Sequence, residues 1–442
     1  MNFVRISNIA ALFLIIMLFL AACTPADTST AVPSENPTAT VEASCIAKPT
    51  AAETEPTYSA DATSKPIGKL TVSVRRIELP QKTEGILLPC YIMEENGWGY
   101  ANERGEIVLG TEYDGGAWQS LWSGYMMVDY CDDRIDGIPY RQCIVNSRGE
   151  MVELEDYDAL SEIYEENGKY YCDMIFVEER DSDWFYAYCQ DQYLFACRGI
   201  MEEPGWEHII ADLEGNLLLS NRGKFDAIEY MGNGCILCYD YADGVTEGRY
   251  INVENACFVN LATGEKRERK DIECIDLISA YGWPSVYGKR TQNGEMLFGF
   301  INAGGEDIIA PQFEEAQCFY EGCAAVRRKG DKSYTYIGLD GKPLFEKQFA
   351  VAHPFSEGLA AASLDGKTYG YIDKTGEFVI PPIYDCAALR KLVWQAREGE
   401  DAYKMFHNGY ALVADAEENR MAYIDKTGKE LFHFFVSERD YD

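Results

Sequence analysis

Along most of the chain, apolar and polar positions follow a phrase of three parts. The first is a glycine and a short run of small or apolar residues, as in Gly322-Cys323-Ala324-Ala325-Val326, Gly358-Leu359-Ala360-Ala361-Ala362 and Gly409-Tyr410-Ala411-Leu412-Val413. The second is an apolar strand ending at Asp or Asn and closed three residues later by glycine. Asn102 and Gly105, Asn146 and Gly149, Asp212 and Gly215, Asn302 and Gly305, Asp373 and Gly376, and Asp425 and Gly428 all keep that spacing. The short polar side chain can bond the turn's amides while glycine takes a positive φ, so each pair predicts a hairpin turn. The third part runs from that glycine to an aromatic eight residues on, at Tyr113, Tyr157, Phe313, Phe349 and Tyr384. Pro311 and Pro382 fall inside it, where a strand leaves its sheet, because proline cannot serve a central ladder position.

Repetition at this interval predicts an all-β fold: a tandem array of about eight three-stranded β-meander repeats. One such unit cannot bury both faces of its sheet, so neighbours must stack. The stack closes into a propeller-like ring or runs on as an open superhelix. Lys69 to Val74 alternates like a leading strand ahead of the first unit. Between about 160 and 290 the intervals stretch, and the units there are degenerate.

Gly97-Trp98-Gly99-Tyr100, Tyr369-Gly370-Tyr371-Ile372-Asp373-Lys374-Thr375-Gly376 and Ala422-Tyr423-Ile424-Asp425-Lys426-Thr427-Gly428 carry a further resemblance. The pattern is similar to the bacterial WG repeat over about Gly85 to Phe432, most closely in the first unit and after Leu297. At Phe298-Gly299-Phe300 phenylalanine stands in the tryptophan's place. The resemblance implies an interaction module and brings no agreed ligand with it.

The N-terminus changes the picture from a plain array to an exported one. Arg5, the apolar run Ile9 to Phe19 and then Leu20-Ala21-Ala22-Cys23 form a signal segment with a lipobox, since the run is short for a membrane span. The expected organisation is a signal peptide over 1–22, a lipid-bearing Cys23 with a disordered tether over 23–66, and the repeat domain over 67–442. The Thr, Ser, Pro and Glu of the tether cannot bury enough surface to offset ordering. The expected location is the extracytoplasmic face of a cell membrane, held through lipid on Cys23. A formal charge of -34 excludes nucleic acid as a natural partner.

Candidate chemistry is sparse. Cys23 aside, the cysteines fall in strand-like runs, and Cys235 and Cys238 of the one C-x-x-C occupy opposite faces of a strand, so buried reduced thiols are the preferred reading. The four histidines, His208, His353, His407 and His433, show no metal-ligand spacing and suit surface or turn positions. Asp-rich stretches at Asp129, Asp181 and Asp240 lack the calcium loop's length and terminal Glu. Glu265 to Asp271, mixed in sign, suits a solvated hairpin edge. No cofactor and no metal is expected, and no catalytic residue stands out. Most tyrosines recur at fixed strand positions and suit core packing. The aromatics least explained by the repeat lie in the degenerate middle, where insertions map to one exposed face. From them Trp184, Tyr186, Tyr188, Trp206 and Trp283 are the candidate ligand-binding residues, with Tyr164, Tyr170 and Tyr171 close by. The leading expectation is a non-catalytic binding or scaffold lipoprotein for a protein or glycan. The alternative is a hydrolase or lyase on cell-wall or host glycans, with its site in those middle units. A passive envelope spacer is a third.

Overall fold

The computed structural model describes residues 69–113, 124–130, 141–154, 157–161, 163–177, 185–190, 193–199, 206–220, 224–241, 250–276, 284–392 and 404–436. Eight small antiparallel sheets stand in a ring, a propeller of eight blades, and among the described residues one short helix, Ala388–Leu392, follows the seventh. In chain order the blades span 88–109, 125–153, 159–177, 185–220, 227–269, 274–338, 351–385 and 410–435. The sixth is double: its strand Asp307–Ala316 ends one meander and begins the next.

Two turns recur at one end of the blades, and each reaches beyond its own hairpin. In the seventh blade the Asp373 carboxylate accepts from the amides of Thr375 at 2.9 Å and Glu377 at 3.3 Å, and from the Thr375 hydroxyl at 2.6 Å. Gly376 closes the turn at φ 82°. A side chain there would also collide with Phe345 of the blade before, 2.7 Å from an added Cβ. The glycines at 105, 149, 215, 305 and 428 press in the same way on Phe432, Val108, Leu70, Phe258 and Ile380. Asn102, Asn146, Asp212, Asn302 and Asp425 accept from the backbone amides of their own turns. These residues therefore shape a turn and seat it on the preceding blade.

The second turn precedes the small-apolar strand. Both Glu321 and Gly322, and both Glu357 and Gly358, have positive φ, which is the hairpin geometry whose twist matches the flanking strands. Glutamate seldom adopts that conformation. Here each carboxylate has work to do across a blade junction. Glu321 accepts from the Gly358 amide at 3.0 Å and pairs with Lys374 at 3.1 Å. Glu357 accepts from the Gly409 amide at 2.9 Å and pairs with Lys426 at 3.0 Å. Reading only the glycine in this motif misses half of it.

The glycine of Trp-Gly-Tyr has a different reason. Cβ atoms added at Gly99 and Gly299 would lie 2.6 Å and 2.5 Å from the carbonyl oxygens of Leu109 and Ile309, and Gly370 approaches Ile380 O likewise. The outer strand crosses the third strand too closely there for any side chain.

Among the described residues, nine buried apolar clusters follow the ring. One fills each of the eight junctions and one lies inside the double sixth blade. Tyrosine supplies much of the bulk, with Tyr100, Tyr125, Tyr230, Tyr239, Tyr287, Tyr336, Tyr369 and Tyr371 all fully buried. The ring closes by side chains alone: Leu88, Cys90 and Tyr91 pack on Leu412, Met421, Tyr423 and Phe434. Tyr423 Oη donates to Pro89 O at 2.9 Å across that seam, so the open superhelix is excluded.

The leading strand is not where the sequence order places it. Val72–Glu78 pairs antiparallel with Lys169–Val177 and so completes the third blade, not the first. The last strand does not complete the first blade either.

Candidate functional site

The first strand of a blade lies innermost and the last lies on the rim, as burial along them shows. In the seventh blade Val351–Ser356 is covered almost throughout, whereas Phe378–Asp385 exposes Val379, Pro381 and Ile383. A run buried that deeply should be uniformly apolar, and it is not. Glu229, Gln317, His353 and Lys404 each stand four residues before the Asn-Gly or Glu-Gly turn, with Met231, Phe319, Phe355 or Phe406 two residues on. Those four apolar partners are 1 % exposed or less. The repeated position falls in the innermost strands of blades five and seven at Glu229 and His353, just past the strand Asp307–Ala316 at Gln317, and ahead of the strand Tyr410–Asp415 at Lys404. The aromatic or methionine two positions later anchors the strand.

The four groups differ in what they have available. Glu229 reaches some solvent yet is enclosed by protein, and burial pushes its carboxyl up to about 7. Gln317 donates through Nε2 to Ala352 O of the next blade at 2.8 Å, while its Oε1 has no hydrogen-bond partner. His353 is buried, and its carbonyl accepts from Tyr336 Oη at 2.6 Å. This corrects the expectation that the histidines occupy only surface or turn positions. Lys404, 2 % exposed, donates to Cys386 O at 3.1 Å with Nζ 5.1 Å from the Tyr369 ring centroid. Near them Asp276, fully buried, accepts from the Cys318 thiol at 3.1 Å. Hydrogen-bonding groups of both polarities are therefore set around the inner side of the ring. A polar residue two places before a buried aromatic or methionine, at constant distance from an x-Gly turn, was the signal available in the sequence.

Of the aromatic candidates, Tyr186, Tyr188 and Trp206 share one sheet, the fourth blade. Cys23, Trp184 and Trp283 lie outside the described residues. Tyr186 and Trp206 fall in the strands Phe185–Gln190 and Trp206–Asp212, opposite Cys197 and Gly199. Tyr188 stacks on Phe195 across the same sheet, centroids 4.9 Å apart and nearly parallel, so its ring serves packing. Tyr164 and Tyr171 carry the Arg76 guanidinium 5.3 Å and 5.0 Å from their centroids. The fourth blade's His208 sits 3.9 Å from the Cys197 sulfur, and burial lowers its pKa.

Cys90, Cys172, Cys235, Cys238, Cys257, Cys274 and Cys323 are free thiols in strands, and Cys235 and Cys238 face different junctions of the fifth blade. Burial raises the Cys238 thiol to about 12 and that of Cys274 to about 11, far from the reactive range. Among the described residues no three metal-ligating side chains gather, and no helix is long and apolar enough to cross a membrane. Glu265 to Asp271 is the solvated hairpin edge expected, with Lys266–Arg269 mostly exposed, and it does one thing more. Arg269, with its side chain 13 % exposed, bonds Asp271 and Asp307 at 2.8 Å each and Gly305 O at 2.8 Å. It thereby clamps the fifth blade to the turn of the sixth.

No curated protein matches the chain. Solved structures similar in arrangement include apo AztD from Citrobacter koseri, at 10% identity and TM-score 0.30, covering 84% of this chain and 96% of that one. A putative TolB from Agrobacterium tumefaciens follows at 10% identity and TM-score 0.24, covering 83% and 91%. The WD40 domain of Toxoplasma gondii coronin is similar at 9% identity and TM-score 0.26, covering 85% and 90%. The family model of the WG containing repeat matches residues 298–332, 334–367 and 369–387, so the second half of the sixth blade and the seventh are built of WG repeats.

Proposed function

We propose that this protein is a cell-surface lipoprotein, anchored through lipid on Cys23, whose ring is a non-catalytic binding or scaffold module for a protein or glycan. The observation that carries the binding reading is the repeated polar position at Glu229, Gln317 and His353. It puts donors and acceptors on or beside the inner strands of the ring, and among the described residues none of the three stands in a nucleophile–base pair. Groups of that kind recognise; they do not by themselves supply the activated nucleophile that covalent catalysis requires. The lipobox before Cys23 and the Thr, Ser and Pro-rich stretch after it support the tethered location. In this reading Trp184, Tyr186, Trp206 and Trp283 belong to an additional contact surface on the degenerate units, while Tyr188 is committed to packing on Phe195.

Crosslinking at the native cell surface, followed by identification of what is captured, tests the binding reading. One protein or glycan should recur, and its capture should fall when Glu229 and Gln317 are both replaced by alanine. Capture that is unchanged by that pair and by Trp184, Tyr186 and Trp206 to alanine would sink it. Metabolic labelling with a lipid probe tests the anchor separately, since Cys23→Ala should abolish both label and membrane fractionation.

A further inference from the structure

Residues 70–85 run backwards through the architecture. They begin at the fourth blade, complete the third, cross the second and deliver the chain to the first. The Leu70 amide donates to Gly215 O of the fourth blade at 3.0 Å. Val72 to Glu78 then pair with Val177 to Tyr171, seven register pairs in all. The Leu79 amide donates to Tyr170 O at 2.9 Å. Beyond it the carbonyl oxygens of Pro80, Gln81 and Glu84 accept from Tyr125, Asn146 and Ser147 of the second blade, at 2.6, 2.9 and 3.0 Å.

The strand itself contributes little to the core, since most of its residues are exposed. Buried leucines pin it at both ends, Leu70 in the junction of blades three and four and Leu79 in that of blades two and three. Along its exposed face Arg76 lies over the Tyr164 and Tyr171 rings and bonds Glu166 at 2.7 Å, while Glu78 pairs with Lys169 at 2.7 Å. A segment that buries so little and is fastened so often is built to resist sliding.

We propose that residues 70–85 are a strap that carries tension from the N-terminal tether into the blades it is tied to, so that the first blade is reached last. Pull applied ahead of Lys69 reaches the Leu70 tie first, and the ties that follow, the seven register pairs and the bonds to the second blade, must yield before tension reaches the first blade. The strap rests on the tethered reading for its source of tension, but the measurement below supplies the load, so failure of lipidation at Cys23 would leave it standing.

The test is constant-force stretching of the chain from Cys23 onward, with one handle at the C-terminus. The second handle is placed either at the N-terminus or in the turn at Glu94 and Glu95, beyond the strap. At equal load the ring should survive at least about tenfold longer when pulled through the strap. Arg76→Ala combined with Lys169→Ala should remove most of that difference. Equal lifetimes for the two handle positions, or no effect of the double variant on the difference, overturns the proposal. Should the double variant fail to fold, Lys169→Ala alone, at an exposed position, carries the same comparison.

Discussion

Blades six to eight and blades three to five solve one problem with different residues. Each junction must join the rim of one blade to the turn of the next. Between blades six and seven Lys347 does so, bonding Gly376 O at 2.8 Å and Glu377 at 2.8 Å. Between blades five and six Arg269 does so, bonding Gly305 O and Asp307, with the guanidinium 5.2 Å from the Tyr287 ring centroid. The lysine is half-buried and joins one turn. The arginine is nearly covered, spans two carboxylates and stacks on a ring, as its planar fork permits. Where the repeat phrase is intact a modest cation suffices beside the Glu-Lys pairs, and where it has eroded one residue takes over several contacts. Degeneracy in the sequence is therefore not looseness in the structure.

The comparison can be broken most forcefully at the close approach the intact units share. Gly370→Ala places a methyl against backbone that has no room to move, and should lower unfolding stability by about 3 kcal/mol or more in urea titration. Gly322→Ala faces open space and should lose only the ~1 kcal/mol of an unfavourable φ.

The two cations come next. Arg269→Met leaves Asp271 to Lys289 and Asp307 to Tyr287 Oη, and should cost roughly 2 kcal/mol, whereas Lys347→Met should cost less than about 1. The pH dependence separates them further. Arg269 holds the Asp271 carboxyl down to about 2, below its ordinary value. The stabilisation it brings is present above pH ~4 and is lost as pH falls through about 2. Denaturation curves of the wild type and Arg269→Met should thus converge toward pH 2. If the gap persists there, the carboxylate link is not what the arginine supplies.

Glu229 carries the opposite sign. Its carboxyl is raised, so the folded ring holds the proton more tightly than the unfolded chain, and stability falls as pH rises from about 4.5 through about 7. Glu229→Gln should be the more stable protein at pH 8, by about 1–3 kcal/mol, with no advantage below pH 4.5. A thermal melt at both pH values is enough to check it.

The smallest effect tests the tyrosines. Tyr423 Oη bonds a carbonyl across the closing seam, so Tyr423→Phe should lose about 1 kcal/mol. Tyr371 Oη is buried without a hydrogen-bond partner, so Tyr371→Phe should be neutral or slightly stabilising in the same denaturation assay.

Strand, turn and repeat were all decided locally, and local features are legible in one sequence. Asp373 bonds amides within four residues of itself, and Gly376 needs its φ whatever lies beyond, so spacing alone revealed the hairpins and the all-β array. The partner of a side chain across a junction is not local. Nothing in Glu321-Gly322 names Lys374, and nothing in Arg269 names a turn thirty-odd residues later. The inner polar position at Glu229, Gln317, His353 and Lys404 was written in the sequence too, but it becomes meaningful only once those strands are known to be innermost. Ring closure and the strap were beyond reach for the same reason. Both depend on which faces meet when eight twisted sheets are stacked, a sum of small rotations that settles far from any residue contributing to it.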